Sequence, residues 1–218
     1  MEIDHIFIRV SENAPEAALL KEIGLIEGSS NKHQGQGTAN KRFFFQNFCL
    51  ELLFIDNQDE CKNQTTDQLR LFERLSTASP TISPFGVCFR PSNDGNSPAP
   101  FPSWSYKPCY LPAPLKIDVA PIDLHEPMWF YLSFATRPDK APTDKRQPLV
   151  HPCGARQLTD VKLFTTSNKL SDAAQYANSL QMFCLISDET HRLELTFDNN
   201  EQQQERDFRP QLPLIVRF

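Results

Sequence analysis

Residues 32–55 read Lys-His-Gln-Gly-Gln-Gly-Thr-Ala-Asn-Lys-Arg-Phe-Phe-Phe-Gln-Asn-Phe-Cys-Leu-Glu-Leu-Leu-Phe-Ile. A polar loop with two glycines, His33, Thr38 and Asn40 leads into apolar stretches at 42–48 and 48–55. The pattern predicts adjacent strands joined by a tight turn near Gln46 and Asn47. Alternation along the second strand puts Leu50, Leu52 and Phe54 on one face and Cys49, Glu51, Leu53 and Ile55 on the other. The first face is core. The second holds a lone carboxylate, costly to bury unless a cation or donor meets it.

Residues 3–10 give a matching anomaly. Ile6, Ile8 and Val10 share one face of a predicted strand, and His5, Phe7 and Arg9 share the other. If the two strands belong to one sheet, His5 and Glu51 look into the same concavity. An imidazole and a carboxylate that close form half of a metal site, or a His–Glu hydrogen bond with no metal. Both readings stay open at this level.

Composition narrows the classes. A chain of 218 residues with 39% hydrophobic content and 17 Phe can bury a sizeable core as one compact unit. A net charge of −5 gives no electrostatic case for nucleic acid or a membrane surface. No apolar run approaches the roughly 18–20 residues of a membrane-spanning helix. The six cysteines are scattered without a Cys-x-x-Cys pair, and the chain enters a strand at once instead of a signal peptide. The expectation is a cytoplasmic protein with reduced thiols.

Along the chain, a short helix is expected at 15–23, capped by Asn13 and ended by Gly24, then a short strand at 25–29. A helical connector is expected at 67–75. The middle stretch, rich in proline, shows strand-like runs at 85–90, 104–111, 115–120 and 128–134, with irregular loops at 91–103 and 135–157. The last part reads as strand 158–165, helix 171–180 capped by Ser171, strands 182–187 and 192–198, and an apolar tail at 212–218. Leu193-Glu194-Leu195-Thr196-Phe197 matches Leu50-Glu51-Leu52-Leu53-Phe54, which suggests that the last part repeats the first. The expected divisions are a first module at 1–56, a connector at 57–83, an all-β middle module at 84–157 and a C-terminal βαββ module at 158–218.

The opening strand, the helix, the His33–Asn40 loop and the Leu50-Glu51-Leu52-Leu53 strand resemble the glyoxalase-like branch of the vicinal oxygen chelate superfamily (glyoxalase, bleomycin resistance and dioxygenase proteins). His151-Pro-Cys-Gly154 followed by Leu158-Thr-Asp-Val161 is similar to that branch, as is the middle stretch ending in Glu126-Pro127. The resemblance covers most of the chain. Its most specific part is the His…Gly-Thr-x-Asn loop with Leu-Glu-Leu downstream. It implies an α+β fold of repeated βαβββ modules whose curled mixed sheets enclose a cavity. In metal-dependent members, first-strand and fourth-strand residues of paired modules supply His and Glu ligands, and His5 and Glu51 match the first module's pair. The second first-strand position is Asp160, or Cys88 if the middle stretch is the partner. The second fourth-strand position is Glu194, or an aromatic residue near Trp129.

The resulting expectation is a metal-dependent lyase, isomerase or dioxygenase acting on a small oxygenated metabolite. His5 and Glu51 hold one divalent ion, Fe(II), Mn, Zn, Ni or Mg. Glu51 and Glu194 are the catalytic carboxylates. His33, Gly37, Thr38, Asn40 and Arg156 bind substrate: the loop glycines expose N–H groups, Thr38 and Asn40 offer polar partners, and Arg156 suits an anionic group. The same loop also reads as a tight β-connection in which glycine supplies a positive φ. A second expectation, of a different class, is a metal-free small-molecule binding or sequestration protein using the same cavity. Exposed sheet edges make a homodimer a reasonable assembly. No nucleophile triad, phosphate-binding glycine loop or dinucleotide fingerprint is present.

Overall fold

The computed structural model describes residues 1–76, 79–92 and 97–218. Residues 77 and 78 of the expected connector and 93–96 of the expected irregular loop lie outside the described residues. The first part gives β1 (Glu2–Arg9), α1 (Ala17–Glu22), β2 (Lys32–His33), β3 (Thr38–Phe44) and β4 (Cys49–Ile55). Short helices α2 (Gln58–Cys61) and α3 (Leu71–Ser76) lead to β5 (Phe85–Arg90), β6 (Trp104–Tyr106), β7 (Ile117–Val119) and β8 (Met128–Tyr131). The last part holds β9 (Leu158–Thr165), α4 (Asp172–Asn178), β10 (Phe183–Ser187), β11 (Arg192–Phe197), β12 (Glu205–Asp207) and β13 (Leu214–Arg217).

These elements form an α+β protein with two curled sheets. The larger is an eight-stranded half-barrel in the order β2-β3-β4-β1-β5-β8-β7-β6. Its halves mirror each other: β1 runs parallel to β4, β5 runs parallel to β8, and β1 meets β5 antiparallel. The middle stretch is therefore the counterpart of the first. The C-terminal part is not: β4 lies parallel beside β1, whereas β11 lies antiparallel beside β9. The repetition suggested by Leu50–Phe54 and Leu193–Phe197 is one of strand composition, since any strand burying alternate leucines gives that pattern.

The second sheet has five strands in the order β10-β9-β11-β13-β12 and packs on the convex side of the half-barrel. Alternation decides which side each residue serves. Ile6, Ile8, Leu50 and Leu52 join Val161, Leu163, Leu195 and Phe197 in the core between the sheets. Phe7, Leu53, Cys88 and Phe130 belong to a separate cluster on the concave side. No helix of the described residues is long and apolar enough to cross a membrane.

Several local expectations need correction. Asn13 does not cap α1: it stands at φ 63°, and Glu16 occupies the cap position with Oε1 on the Ser11 N–H. Gly24 ends that helix at φ 91°, as the absence of a Cβ permits. Residues 25–29 form no strand, and the connector is split at Arg70 (φ 51°) into a short turn and α3. Ser171 does cap α4, its Oγ accepting the Ala174 N–H at 3.2 Å.

Candidate functional site

The concave face of the half-barrel encloses a cavity of about 590 Å³. The first module supplies a polar wall that includes His5, Asn40, Arg42 and Glu51. The opposite wall is apolar, with Val119, Met128, Phe130 and Leu132. Such a division suits a partly apolar organic molecule with an oxygenated end.

The polar wall begins with an irregularity in β1. The β1–β5 ladder slips between Ile3, opposite Phe89, and His5, opposite Cys88, which makes Asp4 an extra residue. The bulge lets Asp4 and His5 line the same wall, where regular alternation would separate them. Buried Arg90 on β5 grips Asp4, its Nη1 donating to Oδ1 at 3.0 Å, and its Nη2 binds Glu2 and the Asn47 carbonyl. Asp4 Oδ2 then lies 2.7 Å from His5 Nδ1.

That contact places a proton on Nδ1 and aims Nε2 at Glu51, whose Oε2 is 3.4 Å away. The separation exceeds the range of about 2.7–3.2 Å for an N–H···O hydrogen bond. The other Glu51 oxygen accepts from Asn40 Nδ2 at 2.5 Å, and Asn40 is itself oriented by the Asn31 N–H on its Oδ1 at 2.7 Å. An imidazole nitrogen and a carboxylate oxygen thus face each other across a gap that a proton or a cation must fill. Burial pulls the His5 pKa down, but the Asp4 hydrogen bond and the Glu51 and Asp4 charges outweigh it, so the net shift is upward. Burial pushes Asp4 up, yet His5 and Arg90 bring it below the usual carboxylate range.

Asp4, His5 and Cys88 also bring ligand atoms within 4.8 Å of one another. One fact weighs against them as the primary set: both Asp4 oxygens already have partners, Arg90 on Oδ1 and His5 on Oδ2. The His5–Glu51 pair has the unclaimed lone pairs.

The remaining expected residues divide. His33 lines the cavity, its Nδ1 2.8 Å from Thr38 Oγ1 and its ring 5.0 Å from Tyr110. Thr38 is buried and acts through His33 and Gln36. Gly37 is a packing glycine: at φ 75° its carbonyl takes the Asp56 and Asn57 N–H groups, and a Cβ would stand 2.2 Å from the Asn57 oxygen. Arg156 is off the cavity, 60% exposed, and pairs with Asp198 and Glu201. Glu194 is also elsewhere. It points from β11 away from the shared core, with Arg192 Nε at 3.0 Å and Arg217 Nη1 at 2.6 Å. His151, buried, bridges the Phe44 carbonyl and the Ile26 N–H and is a structural staple.

Asp4, Arg90 and Arg42 were not anticipated. The bulge that recruits Asp4 has no signature in an unbroken strand pattern, and Arg90 needs the pairing of β1 with β5. Arg42 had a signal, since it lies two residues from Asn40 on the same strand face.

No family model matches the chain, and no curated protein does. Among solved structures, the crystal structure of a hypothetical protein from Staphylococcus aureus is similar over 100% of this chain and 98% of that one, with a TM-score of 0.56 and 10% identity. At that identity the likeness shows the fold alone.

Proposed function

We propose that this chain is a vicinal-oxygen-chelate-type protein whose half-barrel takes a small, partly apolar, oxygenated metabolite, with one divalent cation held by His5 and Glu51. The observation that carries the reading is the open gap between His5 Nε2 and Glu51 Oε2, with the opposite atom of each side chain already fixed by Asp4 and Asn40. A carboxylate behind a ligating imidazole and a hydrogen bond behind a ligating carboxylate are the usual supports of a metal site. A mixed imidazole and carboxylate donor set fits a first-row divalent ion or Mg. Such an ion would supply Lewis-acid polarisation of a carbonyl or stabilisation of an enolate, the chemistry of a lyase, isomerase or dioxygenase. Asp4 fixes the His5 tautomer, Asn40 fixes the Glu51 rotamer, and the Phe130 wall keeps water from the apolar part of the ligand.

A second reading has its own observation. Cys88 on β5 and Phe130 on β8 face each other in register on the strands that mirror β1 and β4, and the Phe130 ring sits edge-on to His5 at 5.3 Å. Without ligands there, the same cavity serves a metal-free binding protein in which protonated His5 bridges Asp4 and Glu51. Elemental analysis of untagged protein purified without chelator separates the two. The metal reading expects about one ion per chain, abolished in His5→Ala and Glu51→Ala. Metal-free protein that also shows no thermal shift with added Mn, Zn, Ni, Fe(II) or Mg leaves the binding reading.

A further inference from the structure

Arg42 is a cavity cation that makes no direct ion pair among the described residues. It stands on β3 directly across from Glu51, yet no carboxylate lies within 4.0 Å of its guanidinium among the described residues. Neutral acceptors hold it instead. Nε donates to the Ser29 carbonyl at 2.8 Å, and Nη2 donates to Ser29 Oγ at 2.8 Å and Asn31 Oδ1 at 3.2 Å. The Phe44 ring lies under the guanidinium, 4.9 Å from ring centre to Cζ. Nη1 has no hydrogen-bond partner among the described residues.

Glu51, across from Arg42, accepts from Asn40 and turns its other oxygen toward His5 rather than toward the guanidinium. Most other charged groups of the cavity are committed. Asp4 is held by Arg90 and His5, Lys32 by Asp56, and Arg137 by Asp139. Lys145 also lacks a carboxylate partner, but it is exposed at the rim. A guanidinium fixed in place by uncharged groups, with an aromatic ring beneath and an open nitrogen, loses little side-chain freedom when it meets an oxyanion.

From this we infer that the cavity's ligand is an organic anion, a carboxylate-type head on an apolar body. Arg42 anchors the head, and the Met128, Phe130 and Leu132 wall takes the body. The inference rests on the cavity being the ligand site and is independent of the metal.

Two fluorescent probes that differ by one sulfonate test it, with EDTA present throughout: 8-anilinonaphthalene-1-sulfonate and the uncharged N-phenyl-1-naphthylamine. The wild-type protein is expected to prefer the sulfonate. Arg42→Met is expected to weaken the sulfonate about tenfold and the neutral probe less than about twofold, and Lys145→Gln to change neither by more than about twofold. Arg42→Lys, which keeps stem and charge, is expected to give an intermediate sulfonate affinity with the neutral probe unchanged. Equal effects of Arg42→Met on both probes, repeated in Arg42→Lys, overturn the inference, as does a loss in Lys145→Gln matching that in Arg42→Met. Failure of the wild-type protein to bind either probe removes the cavity reading as well. Binding of both with no role for Arg42 removes the anion alone.

Discussion

Glu194 stands between two guanidinium groups on the outer face of β11, with its own side chain 12% exposed and Arg217 27% exposed. Burial pushes its carboxyl up, but the hydrogen bonds from Arg217 and Arg192 outweigh that, and the pKa ends below the usual 4.5. A depressed folded-state pKa adds stability above the unfolded-state value, and that stability is lost as pH falls through the folded-state value. Glu194→Gln should therefore cost about 1–2 kcal/mol at pH 7, a partly buried pair broken from one side. The difference from wild type should shrink as pH falls below 4.5. Urea unfolding at a series of pH values checks both points, and a pH-independent difference would sink the assignment. The same substitution should leave metal content and probe binding untouched, because Glu194 is not on the cavity.

Elements were legible where alternation and caps agree, as in β1, β4 and the Ser171-capped α4, and illegible where tertiary contacts override local preference. Asn13, a good cap by type, is instead used at φ 63° in the turn before the helix, and no side chain caps α1. The joint between α4 and the half-barrel could not be read from residue types at all. It is made by Glu126, a buried acid in the loop before β8. Its oxygens accept from the Ser171 N–H at 2.8 Å, Ser171 Oγ at 2.5 Å and Trp129 Nε1 at 3.0 Å. Removing that carboxylate strands three donors at a junction between the two sheets. Glu126→Ala is expected to lower unfolding free energy by roughly 2–4 kcal/mol, with Glu126→Gln losing less. A measured cost below about 0.5 kcal/mol, the range of ordinary surface changes, would mean that the joint holds nothing together.

At the scale of the whole molecule, β1 and β4 were readable because each is seven or eight residues long with a clear apolar face. By contrast, β2 is two residues long inside the stretch read as a loop, and β3 begins at Thr38, four residues before the expected 42. The partnership of these strands with the middle stretch was not readable, because β6, β7 and β8 are three or four residues long and share no sequence with the first module. The closeness of His5 and Glu51 was legible because both residues break an apolar pattern; Arg42, two residues from Asn40, carried a weaker signal, and Cys88 and Phe130 break no pattern at all. The two sheets nevertheless form one body, since a single cluster of buried side chains runs from Ile6 to Phe218. Its closest aromatic contact across the sheets is Phe45 on Phe197, 4.2 Å between ring centres, and Phe197 is 1% exposed. Phe197→Ala opens a cavity at that contact and should cost roughly 3–5 kcal/mol. Because the cluster is shared, the loss should appear as one cooperative unfolding transition by both near-ultraviolet and far-ultraviolet circular dichroism. Two separated transitions, with residues 158–218 melting apart from a half-barrel that still binds N-phenyl-1-naphthylamine, would show that the second sheet is an independent unit and that the half-barrel holds its cavity unaided.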